Sequence, residues 1–235
     1  MIRSISLDGD GADPGSYPLS IPAIGTLTTL ELHPHVTLFA GENGSGKSTL
    51  VEAIAVAAGF NAEGGSINMR MSTRASHSDL HERLHVVRDA RPQRDGWFLR
   101  AESFYNLATH VEELGVGGYG DVPLHEQSHG ESFLTLVLER FRGRGLYVLD
   151  EPEAALSVRG QLALLHRMHE LVEDGSQFVV STHSPILLAY PDARIYVLGD
   201  DGLVETPYRE TEQYELTRLF LDDRERFLRY LLAED

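Results

Sequence analysis

The sequence predicts an α/β fold with a mixed, mostly parallel central sheet. Three observations support this fold class. An apolar run at residues 35–40 leads through a glycine-rich loop into a helical pattern that closes at Gly59, and two further apolar runs, at residues 145–150 and 177–181, each deliver polar residues at their carboxyl ends. In a parallel sheet such strand ends meet along one edge, where ligands bind. The 235 residues, 42% of them apolar, are enough for one domain with a core.

Composition excludes several kinds of site. The chain has no cysteine, so disulfides, thiolate metal sites and cysteine nucleophiles are ruled out. The first residues show no signal-peptide pattern, and no apolar run approaches the roughly 18 residues that span a bilayer. We therefore expect a cytoplasmic protein without an integral membrane segment.

The net charge of −16 argues against broad electrostatic adhesion to nucleic acid or anionic membranes. Between residues 67 and 100, however, seven arginines stand against four acids. We interpret this segment as a solvated face, and a nucleic-acid contact is the alternative.

The glycine-rich loop has the pattern G-x-x-x-x-G-K-[ST] between the first strand and the first long helix. Glycines let successive backbone N–H groups point at phosphate oxygens, and the start of the helix adds its partial positive charge. Lys47, the only lysine among 20 basic residues, would reach the β- and γ-phosphates, and the Ser48 hydroxyl would bind Mg²⁺. The predicted nucleotide-binding residues of this loop are Gly41, Asn43, Gly44, Ser45, Gly46, Lys47, Ser48 and Thr49.

The two later strands end in residues that suit nucleotide chemistry. Asp150 closes the strand "GLYVLD" and is suited to hold Mg²⁺ together with Ser48. Glu151 follows directly and could polarise an attacking water as a general base. The strand "QFVVS" leads to His183, the second predicted catalytic residue.

These motifs resemble the ATP-binding cassette (ABC) class of ATPases. "GENGSGKST", "LYVLDEPEAALS" and "STHSP" are similar to its Walker A, Walker B with D-loop, and switch histidine, in the variety found in RecF, SMC and OLD-like cytoplasmic ATPases, including short stand-alone predicted ATPases of that group. The resemblance implies ATP and Mg²⁺ as cofactors. It also implies a signature loop that completes the site of a second subunit, for which Ser128, Gly130 and Glu131 match the family's serine, glycine and glutamine.

The sequence departs from the family pattern at two places. His129 stands where the family usually has its first signature glycine. The family's lid glutamine has no clear match, and the strand "GWFLRAESFYN" offers Arg100 or Glu102 instead. Tyr17 lies where transporter relatives stack the adenine base, and a turn tyrosine beside Pro18 is the alternative we favour.

A competing motif lies in the arginine-bearing segment. "HERLH", residues 81–85, satisfies the zinc-peptidase pattern H-E-x-x-H, and His77 would extend it along the same helical face. A zinc peptidase would leave the loop lysine, the acidic strand end and His183 unexplained. We therefore interpret the match as a coincidence and keep a zinc-dependent hydrolase as a distant alternative.

The chain predicts one ABC-type domain over residues 1–235. A core lobe is expected at about residues 1–66 and 146–235, and a compact helical lobe with the signature loop at about residues 67–145, without a sustained heptad pattern for a coiled-coil arm. Near the end, "RIYVLGDDGLVETPY" predicts a hairpin. A closing amphipathic helix should then bury Leu216, Leu219, Phe220, Phe227, Leu228 and Leu231.

The expected function is ATP binding and hydrolysis, with nucleotide sandwiched in an ATP-dependent, head-to-tail homodimer. The expected partner is an unknown protein or nucleic acid. The alternative is an ATP-binding subunit of a membrane transporter.

Overall fold

The computed structural model describes residues 1–8, 13, 15–69, 78–102, 104 and 128–233. Its strands are β1 Ile2–Leu7, β2 Thr29–Glu31, β3 Val36–Gly41, β4 Gly65–Ser66, β5 Leu84–Arg88, β6 Asp95–Arg100, β7 Gly145–Asp150, β8 Gln177–Ser181, β9 Arg194–Gly199 and β10 Gly202–Glu205. Its α-helices are α1 Pro22–Gly25, α2 Lys47–Ala57, α3 His129–Arg140, α4 Val158–Glu173, α5 Pro185–Leu188, α6 Glu212–Asp222 and α7 Arg224–Leu231. Short 3₁₀ helices cover Asp79–Arg83, Pro152–Ala154 and Tyr208–Glu210.

The central sheet of the described chain has the order β10-β9-β3-β8-β7-β6-β4. The five inner strands, from β9 to β6, run parallel, and β10 and β4 pair antiparallel at the two edges. Every residue of β3, β7 and β8 is buried. Strands covered on both faces are apolar throughout, which explains the continuous hydrophobic runs in the sequence. The predicted mixed α/β fold is confirmed.

Two hydrophobic cores lie on opposite faces of this sheet. Consecutive residues of β7 serve different cores: Val148 packs with α2 and β1, whereas Leu149 packs with α3 and α4. This division follows from the alternation of side chains along a strand. The helix α2, which carries the glycine-rich loop at its start, is therefore fixed against one face of the same strand that ends at Asp150.

The register of the parallel strands aligns their carboxyl ends in one row. Arg100 of β6 pairs with Asp150 of β7, Asp150 pairs with Ser181 of β8, and Ser181 pairs with Phe39 of β3. The polar residues at the strand ends are thus direct neighbours through backbone hydrogen bonding. This row positions the candidate site.

The segment predicted as a helical lobe contains strands. β5 pairs with β1 in a separate antiparallel sheet of order β2-β1-β5, and β6 belongs to the central sheet. The sequence "LHVVR" of β5 alternates buried Leu84 with exposed His85, which is the period of a strand with one buried face. The division into two lobes stays a prediction. β6 lies where the strand "GWFLRAESFYN" was expected, whereas the helix expected around residues 81–85 is wrong, because β5 begins at Leu84.

The C-terminal prediction is right for the hairpin and wrong for the helix. β9 and β10 pair around Asp200 and Asp201, as expected. In place of one closing helix, α6 ends at Asp222, and the Asp223 carboxylate accepts the backbone N–H of Arg226 to begin α7. No residue of either helix is buried, so the apolar side chains listed above for this helix are exposed or half-buried. The helical period was correct, but periodicity does not show whether a surface is there to cover it.

None of the helices in the described parts of the chain is both long enough and apolar enough to cross a membrane.

Candidate active site

The glycine-rich loop, residues 41–49, connects the end of β3 to the start of α2. Gly41, Gly44 and Gly46 all have positive φ, at 140°, 82° and 96°. A Cβ on Gly41 would lie 2.5 Å from the Leu198 carbonyl oxygen, and one on Gly46 would lie 2.9 Å from Ile21 Cγ2. Both backbone conformation and close packing therefore require glycine at these two positions.

The Lys47 side chain is buried beneath this loop. Lys47 is only 3% exposed, and its Nζ donates hydrogen bonds to the carbonyl oxygens of Gly41 at 3.0 Å and Glu42 at 2.8 Å. Burial lowers the pKa of Lys47, while the charges of Glu151 and Asp150 act in the opposite direction. The carboxylates at the end of β7 therefore act electrostatically on the one lysine of the chain.

The neighbours of Lys47 are accessible to a ligand. Asn43 and Gly44 are exposed, and Ser45, Ser48 and Thr49 are half-buried. The Thr49 hydroxyl lies 3.0 Å from the hydroxyl of Tyr17, which is 64% exposed. Tyr17 is in a turn beside Pro18, as the favoured interpretation expected, and its hydroxyl touches the loop.

The Walker B carboxylate is buried at the end of β7. Asp150 is 6% exposed, and its Oδ1 accepts a hydrogen bond from the Ser181 hydroxyl at 2.5 Å. Glu151 has left-handed backbone angles, φ 49° and ψ 51°, which are uncommon for a residue other than glycine. Its N–H donates to the Ser181 carbonyl at 3.1 Å. Strained backbone of this kind concentrates at functional sites.

His183 lies beside Glu151, as predicted. Its Nε2 is 3.4 Å from Glu151 Oε1, with the two side chains 31% and 38% exposed. The backbone N–H of His183 is held by Glu153, whose Oε1 accepts it at 2.5 Å. Burial raises the pKa of Glu153, and the hydrogen bond from His183 partly offsets this. Glu153 was not among the predicted site residues, although it is the second glutamate of the sequence "DEPE" directly after the buried strand.

Arg100 takes the place beside Asp150 that the lid residue was expected to fill. Its Nη1 lies 2.6 Å from Glu52 Oε2 on α2, and its Nε lies 3.5 Å from Asp150 Oδ2. Glu102, the other candidate, is exposed. Glu52 had no signal in the sequence beyond being an acid on an apolar helix.

The signature loop, residues 128–131, caps helix α3. The Ser128 hydroxyl lies 2.5 Å from Glu131 Oε2, the Ser128 N–H donates to the same oxygen at 3.0 Å, and the Glu131 N–H points back to Ser128 Oγ at 3.4 Å. These hydrogen bonds from Ser128 lower the pKa of Glu131. The arrangement is a capping box, which gives Ser128 and Glu131 a structural role in addition to the predicted one.

The signature loop packs against the chain that follows Glu151. A Cβ on Gly130 would lie 2.7 Å from the Ala155 carbonyl oxygen, so glycine is needed there for close approach. Ser128, Gly130 and Glu131 line a surface cavity of about 510 Å³ together with residues 155–157, 159 and 160. Among the residues that the structure describes, none of the loop 41–49 lines this cavity.

Comparison with protein-family models shows which family the chain belongs to. The model described as "AAA domain, putative AbiEii toxin, Type IV TA system" matches residues 68–189, more than half of the sequence, and a second AAA domain model matches residues 19–89. This chain is an ATPase of the AAA/ABC type. The "Cytochrome c biogenesis ATP-binding export protein CcmA" of Rhodopseudomonas palustris is 30% identical to the ATPase over 168 residues, which are 66% of this chain and 81% of that protein.

Two further comparisons concern extent and fold. The "Putative ABC transporter ATP-binding protein" of Methanothermobacter thermautotrophicus is 31% identical over 97 residues, which are 41% of the ATPase and only 35% of that protein's length. A solved metal-chelate type ABC transporter in an inward-facing conformation matches 94% of the ATPase and 90% of its own chain, with TM-score 0.50 and 17% identity. The latter likeness concerns the fold alone.

The zinc-peptidase motif of the ATPase does not form its required helix. His81 belongs to a short 3₁₀ helix and His85 to strand β5, so the two imidazoles do not lie one turn apart on an α-helix. His77 lies outside the described residues. In the described ranges, no group of three or more histidine, aspartate or glutamate side chains is placed to hold a metal.

Several arginines of the segment 67–100 make structural contacts in the ATPase. Arg88 donates to the Ala58 carbonyl at 2.7 Å, Arg91 binds Asp89, and Arg100 belongs to the site. Two of the seven, at positions 70 and 74, lie outside the described residues. The interpretation of this segment as a solvated face therefore holds for only part of it, because these three arginine side chains bind neighbouring residues.

Proposed function

We propose that this ATPase binds Mg·ATP at the loop 41–49 and hydrolyses the bond between the β- and γ-phosphates. The observation that carries the proposal is the placement of Lys47, which donates to the Gly41 carbonyl at the end of β3, at the same sheet edge as Asp150 and Glu151 at the end of β7. Lys47 needs only to exchange its two carbonyl partners for phosphate oxygens. Catalysis would then consist of positioning and charge neutralisation at the γ-phosphate.

The oxygen donors at this edge fit Mg²⁺. The Ser48 hydroxyl and the Asp150 carboxylate are hard oxygen ligands, and Mg²⁺ prefers one or two such groups together with substrate phosphates. Asp150 Oδ2 already lies beside the positive charge of Arg100, so this oxygen is placed where it can bind a cation. When bound, the metal would neutralise charge that develops on the phosphate oxygens.

Glu151 and His183 would act on the attacking water. Glu151 has left-handed backbone angles directly after the buried strand β7, and its side chain is 38% exposed, so a water molecule can reach the carboxylate. Glu151 would accept the proton of the water, and His183, held 3.4 Å away, would orient it. Glu153 supports this arrangement through the backbone of His183.

The surroundings of the signature loop support a role for it in completing the site of a second subunit. Its cavity contains none of the loop 41–49 among the described residues, so Ser128, Gly130 and Glu131 are available to complete the site of a partner copy. This geometry and the family resemblance support a head-to-tail homodimer with ATP between the subunits. Gly130 and the start of α3 would meet the partner's γ-phosphate.

Two uses of the ATP cycle follow from different observations. The resemblance to RecF and OLD-like ATPases favours a cytoplasmic switch that acts on a protein or nucleic-acid partner. The likeness to an ATP-binding export protein favours a subunit that energises a membrane transporter. Identification of the proteins and nucleic acids that copurify with Glu151→Gln separates them, since an integral membrane partner would support only the second.

The test of the proposed function uses Glu151→Gln. Loss of a general base lowers rates by about 10²–10⁴-fold, so phosphate release should fall by at least about a hundredfold while Mg·ATP binding persists. The matched control is Glu205→Gln at the exposed edge strand β10, where the carboxylate is 61% exposed, and its rate should equal that of the wild type. Unchanged hydrolysis by Glu151→Gln would contradict the assignment of the base.

The dimer is tested by light scattering on the same variant. Glu151→Gln should be monomeric without nucleotide and dimeric in saturating Mg·ATP, but not in Mg·ADP, because dimer stability depends on bound nucleotide by mass action. Adding Ser128→Arg should abolish the shift while each monomer still binds ATP. A double variant that still dimerises would refute the role of the signature loop.

A further inference from the structure

Arg100 forms an ion triad with two acids inside the candidate site. Its guanidinium contacts Glu52 at 2.6 Å and lies 3.5 Å from Asp150. The three side chains are 23%, 11% and 7% exposed for Arg100, Glu52 and Asp150. Buried charges of this kind persist when they are paired, so the cation serves both carboxylates at once.

The backbone fixes the position of this cation. Arg100 and Asp150 are register partners at the ends of β6 and β7, and the next backbone N–H, that of Ala101, donates to the Asp150 carbonyl at 3.2 Å. On its other side Asp150 has Ser181, which occupies Oδ1. The remaining oxygen, Oδ2, therefore faces Arg100 Nε, a buried atom without a hydrogen-bond partner in the described structure.

We propose that Arg100 is an internal counter-ion that occupies the neighbourhood of the divalent cation beside Asp150 until Mg²⁺ arrives together with nucleotide. This inference rests on the proposed function, because Asp150 is the Mg²⁺ ligand assigned there. Arg100 acts as a positioning residue: it neutralises Asp150 and Glu52 in the nucleotide-free protein. A free divalent cation must then compete with a cation that is tethered to the chain. Mg·ATP faces the same competitor, but its phosphate oxygens supply additional ligands to the metal and so outweigh the competition.

The shape of the arginine side chain explains why this residue suits the task. A guanidinium presents several N–H groups in a planar fork and can contact two carboxylates at the same time, whereas a lysine ammonium is a compact point charge. Arg100 bridges α2 and β7 in this way through Nη1 and Nε. It thereby connects the helix that follows the phosphate-binding loop to the strand that carries the metal ligand.

The test measures Mn²⁺ binding by electron paramagnetic resonance on the whole chain without nucleotide. Arg100→Gln should bind one Mn²⁺ at least about tenfold more tightly than the wild type, because two buried carboxylates lose the cation that contacts both of them. Adding Asp150→Asn should remove the gained site. The matched control is Arg218→Gln, which removes an exposed arginine that pairs with Asp222 at 3.1 Å, and it should bind Mn²⁺ as the wild type does.

A second variant covers the case in which Arg100→Gln does not fold. Arg100→Lys keeps the charge but loses the fork, so it should bind Mn²⁺ more tightly than the wild type and retain the wild-type circular dichroism spectrum. Equal Mn²⁺ affinity in the wild type and in every folded Arg100 variant would overturn the inference. A wild type that fails to bind Mg·ATP would instead refute the proposed function and leave the Mn²⁺ comparison intact, because no nucleotide is used in it.

Discussion

Replacement of Arg100 by methionine should destabilise the folded ATPase in metal-free buffer. The substitution keeps an unbranched side chain of moderate length but leaves Glu52 and Asp150, 11% and 7% exposed, without their shared cation. Breaking a buried ion pair by removing one partner costs about 3–5 kcal/mol. Because Arg100 itself is 23% exposed, we expect the lower end, about 3 kcal/mol.

Thermal unfolding followed by circular dichroism measures this loss. For a chain of this size 1 kcal/mol shifts the midpoint by about 2–4 °C, so Arg100→Met should melt about 6–12 °C below the wild type in chelator. Adding Glu52→Gln should recover part of the difference, since one of the two orphaned charges is then absent. Arg218→Met, at a solvent-exposed pair, serves as the control and should hardly move the midpoint. If Arg100→Met and Arg218→Met melt at the same temperature, the triad does not stabilise the fold and the reasoning fails.

Four further outcomes are expected. Lys47→Ala should abolish ATP binding by calorimetry, because the phosphates lose the chain's only lysine; unchanged affinity would refute the phosphate-binding loop. Since burial raises the pKa of Glu153, its stabilising contribution is present at acid pH and is lost as pH rises through that raised value; Glu153→Gln should therefore gain stability relative to the wild type towards neutral pH in urea titrations, and a pH-independent difference would contradict this. Gly130→Ala should lose about 1–3 kcal/mol of stability, measured by urea unfolding, because the added Cβ meets the Ala155 carbonyl, and unchanged stability would contradict this close approach. His81→Ala should leave ATP turnover unaltered, and a collapse of activity that zinc reverses would revive the peptidase motif.

The sequence predicted those parts of the site whose residues are close together along the chain. The loop 41–49 carries its glycines, lysine and hydroxyls in consecutive positions, and strand β7 delivers Asp150 and Glu151 directly after a buried run. The mixed α/β fold followed from the same apolar runs. Such signals need no knowledge of neighbouring strands.

The parts that were missed depend on lateral neighbours. Arg100 was a candidate for the lid residue, but its contact with Glu52 of α2, 48 residues away in sequence, was not predicted, because it depends on the sheet order that places β6 beside β7. The role of Glu153 depends on its hydrogen bond with the backbone N–H of His183, which lies 30 residues later in the sequence. The period of the C-terminal helices was visible, but whether another element covers their apolar side chains is set by tertiary packing, which periodicity does not encode.

Lys47 has a consequence for chemical labelling. It is the single lysine of these 235 residues, and its residue is 3% exposed beneath the loop. An amine-acylating reagent therefore has one side chain to modify, which peptide mapping separates from the α-amino group of Met1, and a lysine-specific protease has one peptide bond to cut, immediately before Ser48. Both reactions require the loop 41–49 to open. The rate of acylation or cleavage consequently reports the opening of this loop in the unaltered chain, without any probe introduced by mutation.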